Sequence, residues 1–463
     1  MNRSHIRLSI CVWIVAISFA HSLRALSQTA QTEKPKVDAQ LRQRVLDGII
    51  RELETKYVAP EKTKEIASFM RAKLQNGAYD KIEDVRQLAS ALTGDLRIGG
   101  KDLHLFVAYD PSLERALIAA PFSPNVELQE LPPSAERVTE MRRSNYSFGK
   151  LEILRGNVGY VYLKSFVDLN YCKETAVAAM NFLANSDAVI IDLRDNPGGF
   201  INLETFLASY FYGVDPVELL SRYHREGDVT VRDWTLREVP GKRLQYTDLY
   251  ILTSHNTGSA GEGFSFMLQQ RKRAKIIGEK TAGAGYGNKE TPIGDGFVFY
   301  VSVFRQFDPR TGRGWQGVGV QPDIPVPIER ALAVAHFEAV KNLADKTTDA
   351  PRKQQLSWLT TVLDLEANGA KQLSTSLLES YAGKYDAGKI VISLEQGQLY
   401  FLGASGVRRK LYALTEDSFL IEDTSVPAEA QARVRFVKNA EGKITELQLM
   451  VPDGRAFPRT RDS

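Results

Sequence analysis

The sequence predicts an α/β fold with an N-terminal helical domain and a small C-terminal β-barrel, and three observations support this prediction. Apolar residues recur three and four positions apart through 41–95, as on the buried face of helices. Strand-like and helix-like segments alternate through 96–330, which is typical of a mainly parallel sheet with crossover helices. Short alternating strands separated by turns with Gly or Asn fill 373–463 and indicate the barrel.

The elements of the α/β region follow from its apolar runs. The strand candidates are NVGYVYLKSF, AVIIDLR, DLYILTS and AKIIGE, and the helix candidates between them are CKETAVAAMNFLA, INLETFLASYFY and AGEGFSFMLQQ. Two strands of antiparallel character follow around 296–304. Residues 331–372 have helical periodicity and are predicted to form a linker to the barrel.

The first residues have the composition of a secretory signal peptide. A basic MNRSHIR precedes the 13-residue apolar run LSICVWIVAISFA, which is too short to span a bilayer comfortably. Small residues at Ala25 and Ser27 predict cleavage after Ser27, so 1–27 is assigned as the signal peptide and 28–40 as a flexible leader. An uncleaved anchor is the alternative, and no later run is long enough for a membrane helix.

Composition limits the function classes further. A net charge of +3 over 463 residues, without a long basic run, gives no reason to expect a nucleic-acid partner. The two cysteines are Cys11 and Cys172, and only Cys172 would remain after signal removal, which predicts no internal disulfide. Cys172 opens a predicted amphipathic helix and is expected to be a packed thiol rather than a nucleophile.

A candidate nucleophile, Ser259, lies in NTGSAGE, where a predicted strand ends and a predicted helix begins. A helix N-terminus offers free backbone N–H groups to a developing negative charge, and the N–H of Ala260 would face the same point. Gly198 and Gly199 end another predicted strand, in DLRDNPGGF, and could supply a second donor. Both loops follow parallel strands, so they are expected to converge at one sheet edge, although either could be only a tight turn.

The general base must come from few histidines. After signal removal the chain keeps four, which are His104, His224, His255 and His336. His336 lies on the predicted linker and His224 in a charged segment predicted as a loop, while spacing alone does not decide between His104 and His255. These histidines are not spaced as metal ligands, so neither a metal nor another cofactor is predicted.

Three segments, in this order, resemble the tail-specific (C-terminal processing) serine protease family over residues 40–330. They are DLRDNPGG, the nucleophile segment TSHNTGSAGEGFSFMLQQRKRAKIIGEKTAGAGYG and the closing segment DPRTGRGWQGVGVQPDIPV. The most similar branch includes interphotoreceptor retinoid-binding protein and tricorn-core-like proteases. The resemblance implies a ClpP/crotonase-like α/β protease core over 96–330, with Ser259 as nucleophile.

The same resemblance also indicates which residue is the general base. In the Ser–Lys branch of the family the lysine comes 25 residues after the serine, where this chain has Ala284, and Lys280 is out of register. The dyad is therefore predicted to be absent. The other branch takes a histidine from a D-x-H segment, which KDLHLFVAY resembles, and this favours His104 over His255.

The closing segment departs from the family pattern. Family members of this branch have Trp-Glu-Gly, and the Glu completes the catalytic set, whereas this chain has Gln316. An amide can orient an imidazole without stabilising its charge, so Gln316 is predicted to lie near His104 with weakened activity, which Gln316→Glu would raise. Glu262 and Asp195 are alternative third residues.

These inferences together predict a secreted or periplasmic serine peptidase that hydrolyses peptide bonds of exported polypeptides. Ser259, His104 and Gln316 would be catalytic, and Ala260 with Gly198 or Gly199 would form the oxyanion hole. The partner is a peptide or protein substrate. The alternative is a non-catalytic binding or carrier protein on the same fold, which Gln316 favours. The terminal domain resembles the small lipocalin-like barrels appended to bacterial hydrolases.

Overall fold

A computed structural model describes residues 35–119 and 132–463. The signal peptide predicted for 1–27, its cleavage after Ser27 and most of the leader lie outside the described residues, as does Cys11. Within the described ranges, no helix has both the length and the apolar character needed to cross a membrane.

Three N-terminal helices form a layer over an antiparallel sheet. They are α1 (Ala39–Lys56), α2 (Pro60–Gln75) and α3 (Val85–Gly100). Asp38 and Asp84 cap α1 and α3 by accepting backbone N–H groups of the first turn. The apolar face of the helices shares one core with sheet residues such as Phe297 and Phe299. The helical region therefore packs directly on the sheet that adjoins the candidate site.

The central region carries the alternation that the sequence predicts. In chain order it contains β1 (Phe106–Tyr109), α4 (Pro111–Ala119), α5 (Ala135–Arg143), β2 (Phe148–Leu154), β3 (Val158–Leu163), α6 (Leu169–Leu183), β4 (Ala188–Asp192), α7 (Ile201–Ser209), β5 (Glu218–His224), β6 (Val229–Trp234), β7 (Asp248–Thr253), α8 (Ala260–Gln270), β8 (Ala274–Gly278), β9 (Tyr286–Gly294), β10 (Phe297–Phe307) and β11 (Ile324–Pro325). His104 lies in the turn between α3 and β1, just before the strand begins.

Two sheets are formed from these strands. The first has the order β11-β8-β7-β4-β3-β2 and is parallel except for the β2–β3 pair. Helices α6, α7 and α8 pack on one of its faces, and its other face packs on the helical linker. The second sheet has the order β1-β10-β5-β6, with β9 also paired to β10, and it is antiparallel.

The hairpin β5–β6 corrects one sequence prediction. His224 was predicted to lie in a charged loop, but it ends β5 and is buried beside Phe304. The charges of this segment pair across the strands instead, with Arg222 and Asp233 in contact at 2.8 Å. Burial lowers the pKa of His224 to about 4.

The C-terminal region consists of helices and then a barrel. The helices are α9 (Ala331–Lys346), α10 (Ala350–Asn368) and α11 (Thr375–Tyr381). The strands are β12 (Gly383–Tyr385), β13 (Ile390–Glu395), β14 (Gln398–Leu402), β15 (Arg408–Ala413), β16 (Ser418–Ile421), β17 (Arg433–Lys438), β18 (Ile444–Met450) and β19 (Ala456–Thr460). Neighbouring strands pair in sequence order, and a bridge between Tyr385 and Arg461 brings the two ends of the sheet together. The predicted fold class, including the small β-barrel, is confirmed.

Candidate active site

Ser259 occupies a strained turn at the carboxyl end of the parallel strand β7. Its φ of 48° and ψ of −119° are unusual for a residue with a side chain. The strand β7 delivers the chain to the sheet edge, and α8 begins at the next residue, Ala260. This geometry holds the hydroxyl at the edge of the sheet, beside the first free N–H groups of the helix.

Glu262 holds this turn in place. Its buried carboxylate accepts four hydrogen bonds, from the Ser259 N–H (3.0 Å), the Thr281 hydroxyl (2.6 Å), the Gly283 N–H (2.6 Å) and the Ala284 N–H (2.7 Å). Burial raises the pKa of Glu262, while these donors act in the opposite direction. The alternative role of Glu262 as the acid beside the imidazole is not supported, because its oxygens are used in joining the nucleophile turn to 281–284.

His104 reaches Ser259 from the other sheet. Its Nε2 lies 3.0 Å from the Ser259 Oγ. Its backbone C=O accepts a hydrogen bond from Asn288 at 3.0 Å, which fixes the turn against β9. Burial lowers the pKa of His104, so its neutral, proton-accepting form is favoured at neutral pH.

Asp102 is a functional candidate that the sequence reasoning did not name. One carboxylate oxygen, Oδ1, accepts the N–H of His104 at 3.0 Å and lies 3.9 Å from His104 Nδ1. The other oxygen accepts the hydroxyl of Ser302 on β10 at 2.7 Å. Asp102 is fully buried, and His104 Nδ1 has no hydrogen-bond partner within the described residues. The signal was available, because Asp102 is the Asp of the D-x-H segment.

The predicted oxyanion-hole residues lie next to the nucleophile. A Cβ added to Gly198 would lie 2.6 Å from the Cβ of Ser259, and its φ of +115° also favours glycine. The N–H of Gly198, however, donates to Asn196 Oδ1 at 2.8 Å. In the β-bridge between Gly199 and Phe166, the N–H of Phe200 donates to the Phe166 carbonyl oxygen. The N–H of Gly199 makes no hydrogen bond among the described residues. Of the two glycines, it is therefore Gly199 whose N–H stays free.

The other candidates form no hydrogen bond with the Ser259 hydroxyl among the described residues. His255 is exposed, with Nδ1 3.1 Å from Glu279 Oε2, and Lys280 is exposed as well. Asp195 accepts the hydroxyl of Tyr162 at 2.7 Å. Within 35–119 and 132–463, no three His, Cys, Asp or Glu side chains are grouped as metal ligands would be. Cys172 is buried, which raises its pKa to about 12.

Gln316 forms no hydrogen bond with the imidazole among the described residues. Its Oε1 accepts the N–H groups of Gly285 (2.7 Å) and Tyr286 (3.0 Å), and its Nε2 donates to the C=O of Lys101 at 3.3 Å. The side chain therefore ties the closing segment to the start of β9 and to the turn that carries His104. Gln316 thus bonds the turn that carries His104, as its predicted position near His104 requires, but its amide is used by backbone groups rather than by the imidazole.

Gln316→Glu is therefore expected to lower activity rather than raise it. A carboxylate would keep the two N–H donors but would face the Lys101 carbonyl oxygen, so one hydrogen bond becomes a repulsive contact. We expect kcat/KM for peptide hydrolysis to fall about threefold to tenfold, which corresponds to roughly 1 kcal/mol. Steady-state kinetics of the purified variant checks this, with Gln321→Glu as a nearby control. A kcat/KM above that of the wild type would instead indicate that residue 316 belongs to the catalytic set.

The site thus brings together a hydroxyl, an imidazole, a buried carboxylate and free backbone donors, which is the set that acyl transfer requires. They come from three parts of the chain: the β7–α8 turn carries the hydroxyl and the Ala260 N–H, the α3–β1 turn carries the imidazole and the carboxylate, and the loop after β4 carries Gly199.

Two family models match the chain, and together they span more than half of it. Residues 157–326 match the model of peptidase family S41, and residues 36–148 match the N-terminal domain of Peptidase_S41 in eukaryotic IRBP. A probable CtpA-like serine protease of Staphylococcus haemolyticus is 25% identical over 220 residues, 46% of this chain and 43% of that protein. A carboxyl-terminal-processing protease of Picosynechococcus is 29% identical over 188 residues, 40% of this chain and 43% of that protein.

Among solved structures, mature CPAF aligns with a TM-score of 0.44 and 12% identity, over 69% of this chain and 98% of that one. The chain spans less than half the length of the curated relatives it matches. The two family models together cover the helical layer and the sheets that build the candidate site. The chain belongs to the tail-specific, or C-terminal processing, protease family, which is peptidase family S41.

Proposed function

We propose that the protein is a serine peptidase that hydrolyses peptide bonds of exported polypeptides. The observation that carries the proposal is the 3.0 Å contact between His104 Nε2 and Ser259 Oγ, two residues 155 positions apart in the chain. The imidazole is largely withdrawn from solvent and has a lowered pKa, and the serine beside it lies in a strained turn. Such an arrangement costs stability and is typical of catalytic sites. The exported location rests on the apolar segment within 1–27.

In the proposed mechanism the hydroxyl of Ser259 attacks the peptide carbonyl while His104 Nε2 takes its proton. The oxyanion that forms is stabilised by the N–H groups of Ala260 and Gly199. His104 then gives the proton to the leaving amine. Water next attacks the acyl group on Ser259 in the same way, with His104 as the base, and releases it.

Asp102 is proposed to replace the family glutamate as the charge partner of His104. Its carboxylate lies on the Nδ1 side of the ring, at 3.9 Å, and catalytic hydrogen bonds in ligand-free sites are often long. A short movement of the α3–β1 turn on substrate binding would convert this contact into a hydrogen bond. Gln316 then acts on the turn as a whole rather than on the imidazole.

Labelling by a fluorophosphonate probe over pH 4.5–9 tests the proposal. The probe should modify Ser259, and the rate should rise with pH through an apparent pKa below the ordinary histidine value of about 6.5, because burial favours neutral His104. Mass spectrometry of the labelled peptide identifies the serine. Absence of labelling throughout this range would instead support a binding protein on the same fold. An acid limb above 6.5 would show that the charge of Asp102 outweighs burial in setting the pKa of His104.

A further inference from the structure

A cleft lies between the linker helix α10 and the barrel, and Arg433 forms part of its lining. Arg433 is on β17 and is only 5% exposed. The carbon of its guanidinium lies 3.4 Å from the centre of the Trp358 ring, and its Nη2 donates to the Trp358 carbonyl oxygen. The helix and the barrel therefore meet around a stacked guanidinium and indole.

This guanidinium has no charge partner. It forms no ion pair with any Asp or Glu of the residues described, and its buried Nε has no hydrogen-bond partner. Burial alone lowers the pKa of Arg433 to about 9, with no neighbouring carboxylate to oppose it. Arginine stays protonated at neutral pH, so a nearly uncompensated positive charge is held in the wall of the cleft.

The cleft has room for a small molecule. Its volume is about 390 Å³, and its lining consists of Gln354, Ser357, Trp358, Arg433, Met450, Asp453 and Gly454. Trp358 and Met450 give it an apolar surface, while Gln354 and Ser357 offer polar groups. The acid at its rim, Asp453, is paired with Arg455 at 2.7 Å and is not in contact with Arg433.

We propose that this cleft binds a small organic monoanion, namely a carboxylate with an apolar body. The carboxylate would supply the counter-charge that Arg433 lacks, and the apolar part would lie against Trp358 and Met450. A single negative charge fits better than a phosphate dianion, because Asp453 adds a negative charge at the rim. The same chemistry is offered by a free carboxylic acid and by the C-terminal residue of a peptide.

This site is separate from the proposed catalytic one. Ser259 lies at the carboxyl end of β7, whereas the cleft is lined only by residues of α10 and of the barrel strands and turns. A bound anion would join the barrel to the linker helix, which in turn packs on the parallel sheet through Leu356 and Leu359. The cleft is therefore a ligand site whose occupancy would stabilise the barrel against the linker.

Binding is tested on the full chain with four probes: N-acetyl-leucine, its uncharged amide, hexanoate and inorganic phosphate. Tryptophan fluorescence and the thermal midpoint Tm report occupancy, because a ligand that binds the folded state raises Tm. We expect N-acetyl-leucine or hexanoate to give a saturable response, and the amide and phosphate to give none. A response to N-acetyl-leucine alone identifies a peptide C-terminus, and a response to hexanoate alone identifies a free acid.

Arg433→Met should weaken carboxylate binding at least about tenfold, while Arg455→Gln, at the exposed rim, should change it less than about threefold. Trp358→Phe should remove the fluorescence response. All three variants should keep fluorophosphonate labelling of Ser259, so a failure here is distinct from a failure of the proposed function. Arg433→Gln replaces the methionine variant if that one does not fold. Equal binding of acid and amide, unchanged affinity without Arg433, or no response up to ~50 mM overturns the proposal.

Discussion

Replacing Ser259 with alanine is expected to reduce kcat/KM for peptide hydrolysis by on the order of 10⁴-fold or more and to abolish fluorophosphonate labelling. The reason is local: the Ser259 Oγ is the group that lies 3.0 Å from His104 Nε2 at the start of α8. Glu262 holds the turn that carries this hydroxyl through the backbone N–H of Ser259.

The fold of this variant should be intact. Alanine at 259 would have the same positive φ, and its backbone N–H would still donate a hydrogen bond to Glu262. Tm should therefore change by only a few degrees. Ser265→Ala is the matched control, because Ser265 lies on the same helix and its hydroxyl donates to the Gly261 C=O at 2.8 Å. Turnover by the Ser259 variant near the wild-type rate would place the nucleophile elsewhere.

The parts of the site that depend on local sequence pattern could be predicted. An apolar strand followed by small residues and a helix places Ser259 at a sheet edge, and the glycine pair at 198–199 follows a second parallel strand. Both features are set within about ten residues, so periodicity and turn chemistry reveal them. The barrel was predictable for the same reason, since each of its strands pairs with the next along the chain.

The contacts that join distant segments were not predictable in this way. Gln316 was expected beside the imidazole, but its amide is used by backbone groups at Lys101, Gly285 and Tyr286. The hairpin β5–β6 was not predicted because its charges resemble those of a solvated loop, and the contact between Arg222 and Asp233 exists only once the two strands are paired. The D-x-H segment places Asp102 beside His104, but the hydrogen bond that Asp102 accepts from Ser302, 200 residues away, could not be predicted from it.

Asp102→Asn is expected to lower kcat about 10²- to 10³-fold with little change in KM. A carboxylate about 4 Å from an imidazolium interacts by about 4 kcal/mol at an effective dielectric near 20, and a tenfold change in rate corresponds to about 1.4 kcal/mol. That interaction exists only while His104 is charged, which is during attack and leaving-group departure, so it acts on the chemical step rather than on binding.

The asparagine variant also separates positioning from simple turn stabilisation. Its side-chain oxygen can still accept the His104 N–H, so a role limited to that 3.0 Å hydrogen bond predicts almost wild-type activity. Asp102 is in addition the charge that raises the pKa of His104 against the lowering by burial, so its removal should move the acid limb of the pH–rate profile to lower pH. Asp95→Asn is the control, since that carboxylate binds Tyr79 and Lys73 within the helical layer. Unchanged kcat together with an unshifted acid limb would show that Asp102 only supports the turn, and His104 would then lack a charge partner in the catalytic set.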